Sequence, residues 1–193
     1  MTHYKLLVGE KCYLSPLQAE DGEKWAEWLN DLEVTLPLGD EAYTVTGREA
    51  HREDVQQIIR AREPVFSIVR LDTDVVIGRC LLFGVNRVDR SGMVGIFIGE
   101  KSCWNQGFGT EALVLLLDYA FNLLNLNSVM LGVFAFNQRA VASYHKAGFR
   151  EIGRRRQARI IAGKAHDVLL MDMLAEEFRA RYPSQVDRGQ SGT

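Results

Sequence analysis

Between Cys103 and Ala112 the chain reads Cys-Trp-Asn-Gln-Gly-Phe-Gly-Thr-Glu-Ala, and here its residue types first point to chemistry. Gly107 and Gly109 stand two apart, just before Leu113, Leu116, Leu117, Ala120 and Leu124 recur at helical spacing. Upstream, Met93 to Ile98 is a short apolar run of the kind that makes a strand. A glycine pair at a strand-to-helix junction frees the backbone for positive φ and for close approach of a ligand. The helix start adds unpaired N–H groups and the positive end of a dipole, so the junction reads as an anion site, most naturally for phosphate. The same pair also suits a tight connection that holds nothing.

Common phosphate motifs fit badly. A P-loop needs a Lys and then Ser or Thr after its last glycine, whereas Gly109 is followed by Thr110 and Glu111. A dinucleotide fingerprint needs a third glycine and an early βαβ unit. The stretch does resemble the acyl-coenzyme A loop of the GNAT family of N-acetyltransferases, Gln/Arg-x-x-Gly-x-Gly/Ala between a strand and a long helix. Trp104 stands at the first position, which resembles the branch of ribosomal-protein N-terminal acetyltransferases. Asn105 and Gln106 depart from the Gly-Lys of that branch, so the charge of a loop lysine is missing. The resemblance implies that backbone N–H groups of Gln106, Gly107, Phe108, Gly109 and Thr110 carry the pyrophosphate.

A second segment, Phe136 to Phe149 (FNQRAVASYHKAGF), resembles the other signature of the same family. Two matches in the right order are more specific than one. By resemblance, the Tyr144 hydroxyl protonates the departing thiolate of coenzyme A, and Asn137 bonds the pantetheine arm while capping its helix. Lys146 approaches a cofactor phosphate or is an exposed lysine. Backbone N–H groups of Phe97 and Ile98, on the strand before the loop, bond the pantetheine and the thioester oxygen as an oxyanion site. The branch often carries a glutamate on that strand as general base; here Met93-Val94-Gly95-Ile96 has none, and the next carboxylate, Glu100, has the position of a turn residue.

Elements that must position these groups follow from periodicity. Lys11 to Leu17 alternates as a first strand, and Asp21 opens a helix through Trp25, Trp28, Leu29 and Leu32. Asn30 to Tyr43 is a loop carrying Asp31, Glu33, Asp40 and Glu41, either a solvated stretch or an acidic rim that attracts a protonated amine. A second helix runs from about Gly47 and stops before Pro64. Val65 to Leu71 and Val75 to Phe83 make a hairpin around Asp72-Thr73-Asp74, and Met93 to Gly99 adds a strand leading to the glycine loop. After the long helix, Val129 to Phe136 is a strand parallel to the one before it. Asn137 caps a short helix that Gly148 closes, and a last hairpin turns at Ala162-Gly163-Lys164. The expected fold is mixed α/β in the GNAT manner: a mostly antiparallel sheet with helices on both faces and one splayed parallel pair. Residues 1–182 are expected to form one domain and 183–193 a disordered tail.

With 193 residues, 47% hydrophobic and 25% charged, the chain can bury one sizeable core. A net charge of −2 provides no basic field for nucleic acid and no polybasic face for a membrane. The N-terminus lacks the layout of a signal peptide, and no apolar run nears the roughly 20 residues of a spanning helix, so a cytoplasmic monomer or homodimer is expected. Cys12, Cys80 and Cys103 are scattered and odd in number, and four histidines show no metal spacing, so no metal is expected. These readings imply an N-acetyltransferase that uses acetyl-CoA as acyl donor and acts on a primary amine, a protein N-terminus or a small amine. A non-catalytic acyl-CoA-binding module is the alternative, and a phosphate hydrolase fits least, for want of a P-loop lysine.

Overall fold

The computed structural model describes residues 3–184; from residue 185 on, the expected tail lies outside the described residues. The described residues hold eight strands and six α-helices, in the order β1 (Leu7–Val8), β2 (Cys12–Pro16), α1 (Asp21–Leu29), α2 (Leu32–Thr35), α3 (Arg48–Ala61), β3 (Val65–Arg70), β4 (Val76–Asn86), β5 (Ser91–Ile98), α4 (Phe108–Asp118), β6 (Ser128–Phe134), α5 (Gln138–Ala147), β7 (Arg150–Ile161), β8 (Lys164–Leu174) and α6 (Ala175–Arg181). They form a mixed, mostly antiparallel sheet in the order β1-β2-β3-β4-β5-β6-β8-β7. The expected parallel pair is β5 and β6, with register Ser91↔Ser128 to Met93↔Met130. Among the described residues no helix is long and apolar enough to cross a membrane.

Two compact units share the chain. One takes the chain up to Leu81 together with Ile96–Ala112; the other takes Leu82–Gly95 together with the chain from Leu113 on. In the first unit, Tyr13, Trp25, Trp28, Val55, Val69 and Phe97 form the centre of one apolar cluster. Both tryptophans of α1 are in it because their spacing of three sets them on one helix face. Asp21 starts that helix from within the protein: its Oδ2 accepts the Gln18 N–H at 2.9 Å and the Ser67 hydroxyl at 2.5 Å. α3 ends at Arg62, in the left-handed conformation at φ 55, two residues before Pro64.

In the second unit, β8 lies between β6 and β7, pairing antiparallel with both. The helix after the glycine loop does not stay regular to its end; Tyr119–Leu123 is a π-turn, closed by Leu124 N–H on the Tyr119 carbonyl at 3.0 Å. α6 has no counterpart in the sequence reading. Its Phe178 packs on Phe121 with ring centroids 5.3 Å apart, and Arg179 Nη2 donates to the Phe121 carbonyl at 2.9 Å.

Candidate active site

The glycine loop belongs to the first unit, and its conformation differs from the expected one in one respect. Gly107 has φ +89, as a residue with no Cβ readily does, but Gly109 is the second residue of α4 and has no positive φ. The second left-handed residue is Asn105, at φ 60. The helix starts at Phe108, and its first helical bond runs from Glu111 N–H to the Gly107 carbonyl at 3.0 Å. Gln106 and Gly107 are exposed, so the junction is open to a ligand.

A lysine reaches this loop from 95 residues away. Lys11 Nζ donates to the Gln106 carbonyl at 2.7 Å, and a Cβ on Gly107 would lie 3.6 Å from the same nitrogen. Glu111, in the first turn of α4, explains why Lys11 is there. Its Oε1 accepts the Glu10 N–H at 2.8 Å, and its Oε2 accepts those of Lys11 at 2.9 Å and Cys12 at 2.8 Å. A carboxylate at a helix N-terminus, holding three backbone donors, ties the start of β2 to the loop. Beside them opens a cavity of about 410 Å³ lined by Lys11, Leu71, Asp72, Gln106 and Phe108. Cys12 and Cys80 are buried, which pushes both thiols well above the ordinary cysteine value and leaves them unsuited to nucleophilic work.

On β5 the two expected oxyanion donors are not equivalent. An added Cβ on Gly78 of β4 would collide with the Phe97 carbonyl oxygen, so that oxygen faces β4 and needs a glycine there. The peptide between Phe97 and Ile98 is trans, so the Ile98 N–H points the opposite way, off the β4 edge. The Phe97 N–H shares the side of its own carbonyl. Of the two expected donors, only the Ile98 N–H is directed away from β4. Trp104 fixes this strand end, since its Nε1 donates to the Ile98 carbonyl at 2.7 Å while its ring packs against the apolar cluster.

Glu100 is a turn residue, as its position indicates. Its Oε1 accepts from the Ser102 hydroxyl at 2.9 Å and caps the short 3₁₀ turn Lys101–Cys103. Val94 is buried, so β5 presents no base at that position. The acidic rim divides. Lys101 Nζ lies 2.6 Å from both Asp31 Oδ2 and Glu33 Oε2, and the lysine beside it holds the Asp31 carboxyl below its usual range. Those two charges are already paired, so they do not form an open rim. Asp40 and Glu41 instead line a separate cavity with Arg79.

Asn137, Tyr144 and Lys146 belong to the second unit. Asn137 caps α5, its Oδ1 accepting the Ala140 N–H at 3.1 Å. Gly148, at φ 108, closes the helix with its N–H on the Tyr144 and His145 carbonyls. Tyr144 is buried against Phe149, and this burial pushes its hydroxyl up to about 12. His145 and Lys146 are exposed. α6 braces the helix end: Arg181 Nη2 donates to the Lys146 carbonyl at 2.7 Å and the Tyr182 hydroxyl to that of Ala147 at 3.2 Å. Lys11, Glu111 and the Trp104 indole N–H were missed in the sequence.

The model of the acetyltransferase (GNAT) domain family matches residues 11–150. An uncharacterized N-acetyltransferase of Bacillus licheniformis, p20, is 28% identical over 179 residues, covering 89% of this chain and 97% of that protein. Among solved structures, the spermidine N-acetyltransferase of Vibrio cholerae in complex with CoA and spermine superposes with a TM-score of 0.78 at 24% identity, covering 89% of this chain and 99% of that one. The ribosomal-protein-S5-alanine acetyltransferase of Vibrio fischeri superposes with a TM-score of 0.75 at 16% identity, covering 89% and 97%. At these identities the two structures speak for the fold.

Proposed function

Since this chain belongs to the acetyltransferase (GNAT) domain family, we propose that it transfers the acetyl group of acetyl-CoA to a primary amine by direct attack of the amine on the thioester. The amine is a protein N-terminus or a small molecule. Acetyl-CoA is the acyl donor of the family. The supporting observation in this chain is the exposed loop at Gly107, with left-handed backbone and a lysine ammonium at its rim. Backbone N–H groups around Gly107 and Phe108, with the α4 dipole behind them, suit a pyrophosphate. Lys11 supplies the positive charge that the loop sequence itself lacks.

Ile98 N–H takes the thioester oxygen as negative charge develops there, and Trp104 anchors the next peptide along the strand through the Ile98 carbonyl. Tyr144 is the proton donor to the leaving thiolate. Its raised pKa keeps the proton on the hydroxyl at neutral pH, as a general acid requires. With Val94 buried and Glu100 committed to its turn, β5 offers no base, and the amine loses its proton to water or to a group of the acceptor pocket. That lack favours the second reading, an acyl-CoA-binding module without turnover.

Gly107→Val tests the loop. A β-branched residue is strained at φ +89 and projects toward the ligand side, so calorimetry should find coenzyme A binding lost while the circular dichroism of the fold persists. A folded variant with wild-type affinity contradicts the assignment. Coenzyme A binding without thiol release across peptides, polyamines, amino acids and aminoglycosides selects the binding module.

A further inference from the structure

The first unit contains a cavity of about 750 Å³ whose lining includes Trp25 of α1, Asp40, Glu41, His51 and Asp54 along the α3 side, and Arg79 of β4. Three buried nitrogens among these residues have no hydrogen-bond partner: Trp25 Nε1, His51 Nε2 and Arg79 Nε. Trp25 is 1% exposed and His51 6%. An unpaired buried donor costs about 1–3 kcal/mol, and all three nitrogens belong to side chains that line this one cavity.

Arg79 carries the strongest demand. Its guanidinium lies 4.4 Å from the Trp25 ring centre and 5.2 Å from that of Phe97, and its ion pair with Glu41 is long, at 3.6 Å. Burial pushes its pKa below the ordinary arginine value. A desolvated guanidinium with one loose carboxylate and a free Nε–H is matched by a planar anion that accepts two parallel bonds, a carboxylate. The Trp25 ring lies beneath it, and the indole N–H at the edge of that ring is a donor and nothing else. The remaining lining has the reverse character. Asp40, Glu41, Asp54 and Glu63 bring four carboxylates. His51 faces Asp54 through Nδ1 at 3.7 Å. Burial holds its imidazole below the ordinary histidine pKa, so a proton placed on Nδ1 leaves Nε2 as an acceptor.

We infer that this cavity receives an acceptor amine that also carries a carboxylate, the class of free α-amino acids and close analogues, with the carboxylate on Arg79 and Trp25 and the ammonium among the acidic residues and His51. This deepens the acetyltransferase reading and rests on it for the amine. A polyamine would pair with the carboxylates of the lining but would leave the Arg79 guanidinium without a second anion. A peptide N-terminus has an amide carbonyl where a free amino acid has its carboxylate.

The test uses matched pairs, L-phenylalanine with phenethylamine and L-lysine with cadaverine, and spermidine beside them. Calorimetry on the coenzyme A complex reads binding and thiol release reads turnover. The amino acid of at least one pair should bind at least tenfold tighter than its decarboxylated partner. Arg79→Met should abolish that preference and raise KM for the carboxylated amine tenfold or more, with coenzyme A affinity unchanged as the check on folding. Trp25→Phe, which removes one N–H and keeps an aromatic ring, should weaken the preference severalfold, and it stands in if Arg79→Met does not fold. Equal binding within both pairs, tighter spermidine, or a preference that survives both variants overturns the inference. Coenzyme A and amino acid binding without thiol release would end the enzymatic reading and leave the pocket assignment standing.

Discussion

The ammonium of Lys11 lies 2.7 Å from the carbonyl oxygen of Gln106, so a residue at the start of β2 supplies the cation of a loop formed 95 positions later. Glu111 makes this possible by holding three consecutive amides, those of Glu10, Lys11 and Cys12. If Lys11 then serves the phosphates of coenzyme A, Lys11→Met should weaken binding by about tenfold, the low end of a charge-assisted hydrogen bond. The salt dependence of binding should fall with it, and Lys11→Arg should restore most of the loss. Calorimetry at two ionic strengths decides. An unchanged affinity in folded Lys11→Met would confine the lysine to a structural role.

Glu111→Gln keeps the shape of the side chain but turns one oxygen into an N–H donor that faces backbone donors. One of the three amide bonds should be lost, with a stability cost of about 1–3 kcal/mol from the unpaired donors. Coenzyme A should bind more weakly because Lys11 is no longer held at the loop. Chemical denaturation and calorimetry together check this; an unaltered midpoint would mean that Glu111 is dispensable to the junction.

Much of this layout was legible locally. The bounds of α5 are readable because Asn137 and Gly148-Phe149 act within their own turns. The Asp72–Asp74 turn is also local, with Asp74 at φ 55. What escaped depends on distant partners. α6 starts at Leu174, a poor cap by type, whose N–H is satisfied by Glu177, and it docks through Phe178 and Arg179 onto Phe121. Spacing cannot tell which glycine of a pair turns the chain, and Gly109 is simply a helical residue. The Asp31 and Glu33 half of the acidic rim is lost for the same reason: Lys101 lies 68 positions from Glu33 in sequence, and at 2.6 Å from both carboxylates in space.

Trp104→Phe removes the indole N–H from the Ile98 carbonyl and keeps a ring against the core. The expected stability loss is about 1 kcal/mol. If the Ile98 N–H stabilises the oxyanion, loosening the strand end just after it should lower kcat more than it raises KM for acetyl-CoA. Steady-state kinetics over both substrates reads the split; a pure KM effect would place Trp104 in binding alone.

Tyr144→Phe deletes one hydroxyl from a buried ring. Coenzyme A affinity should stay near wild type while the single-turnover rate falls by roughly 10²-fold. Because burial raises the hydroxyl to about 12, the group stays protonated past about pH 10, where an ordinary tyrosine ionises. The wild-type single-turnover rate should therefore show no decline from this residue below about pH 10. A loss of rate with an apparent pKa near that ordinary value, absent in the variant, would contradict the buried-acid assignment.

The central claim is acetyl transfer itself, and single-turnover quench measurement of acetyl-CoA with the wild-type protein and the amine panel tests it most directly. The expected result is free coenzyme A thiol and acetylated amine appearing together in equal amounts, with an amino-acid acceptor fastest. Tight coenzyme A binding with neither product formed would contradict the claim, as would thiol release with no acetylated amine, which is hydrolysis.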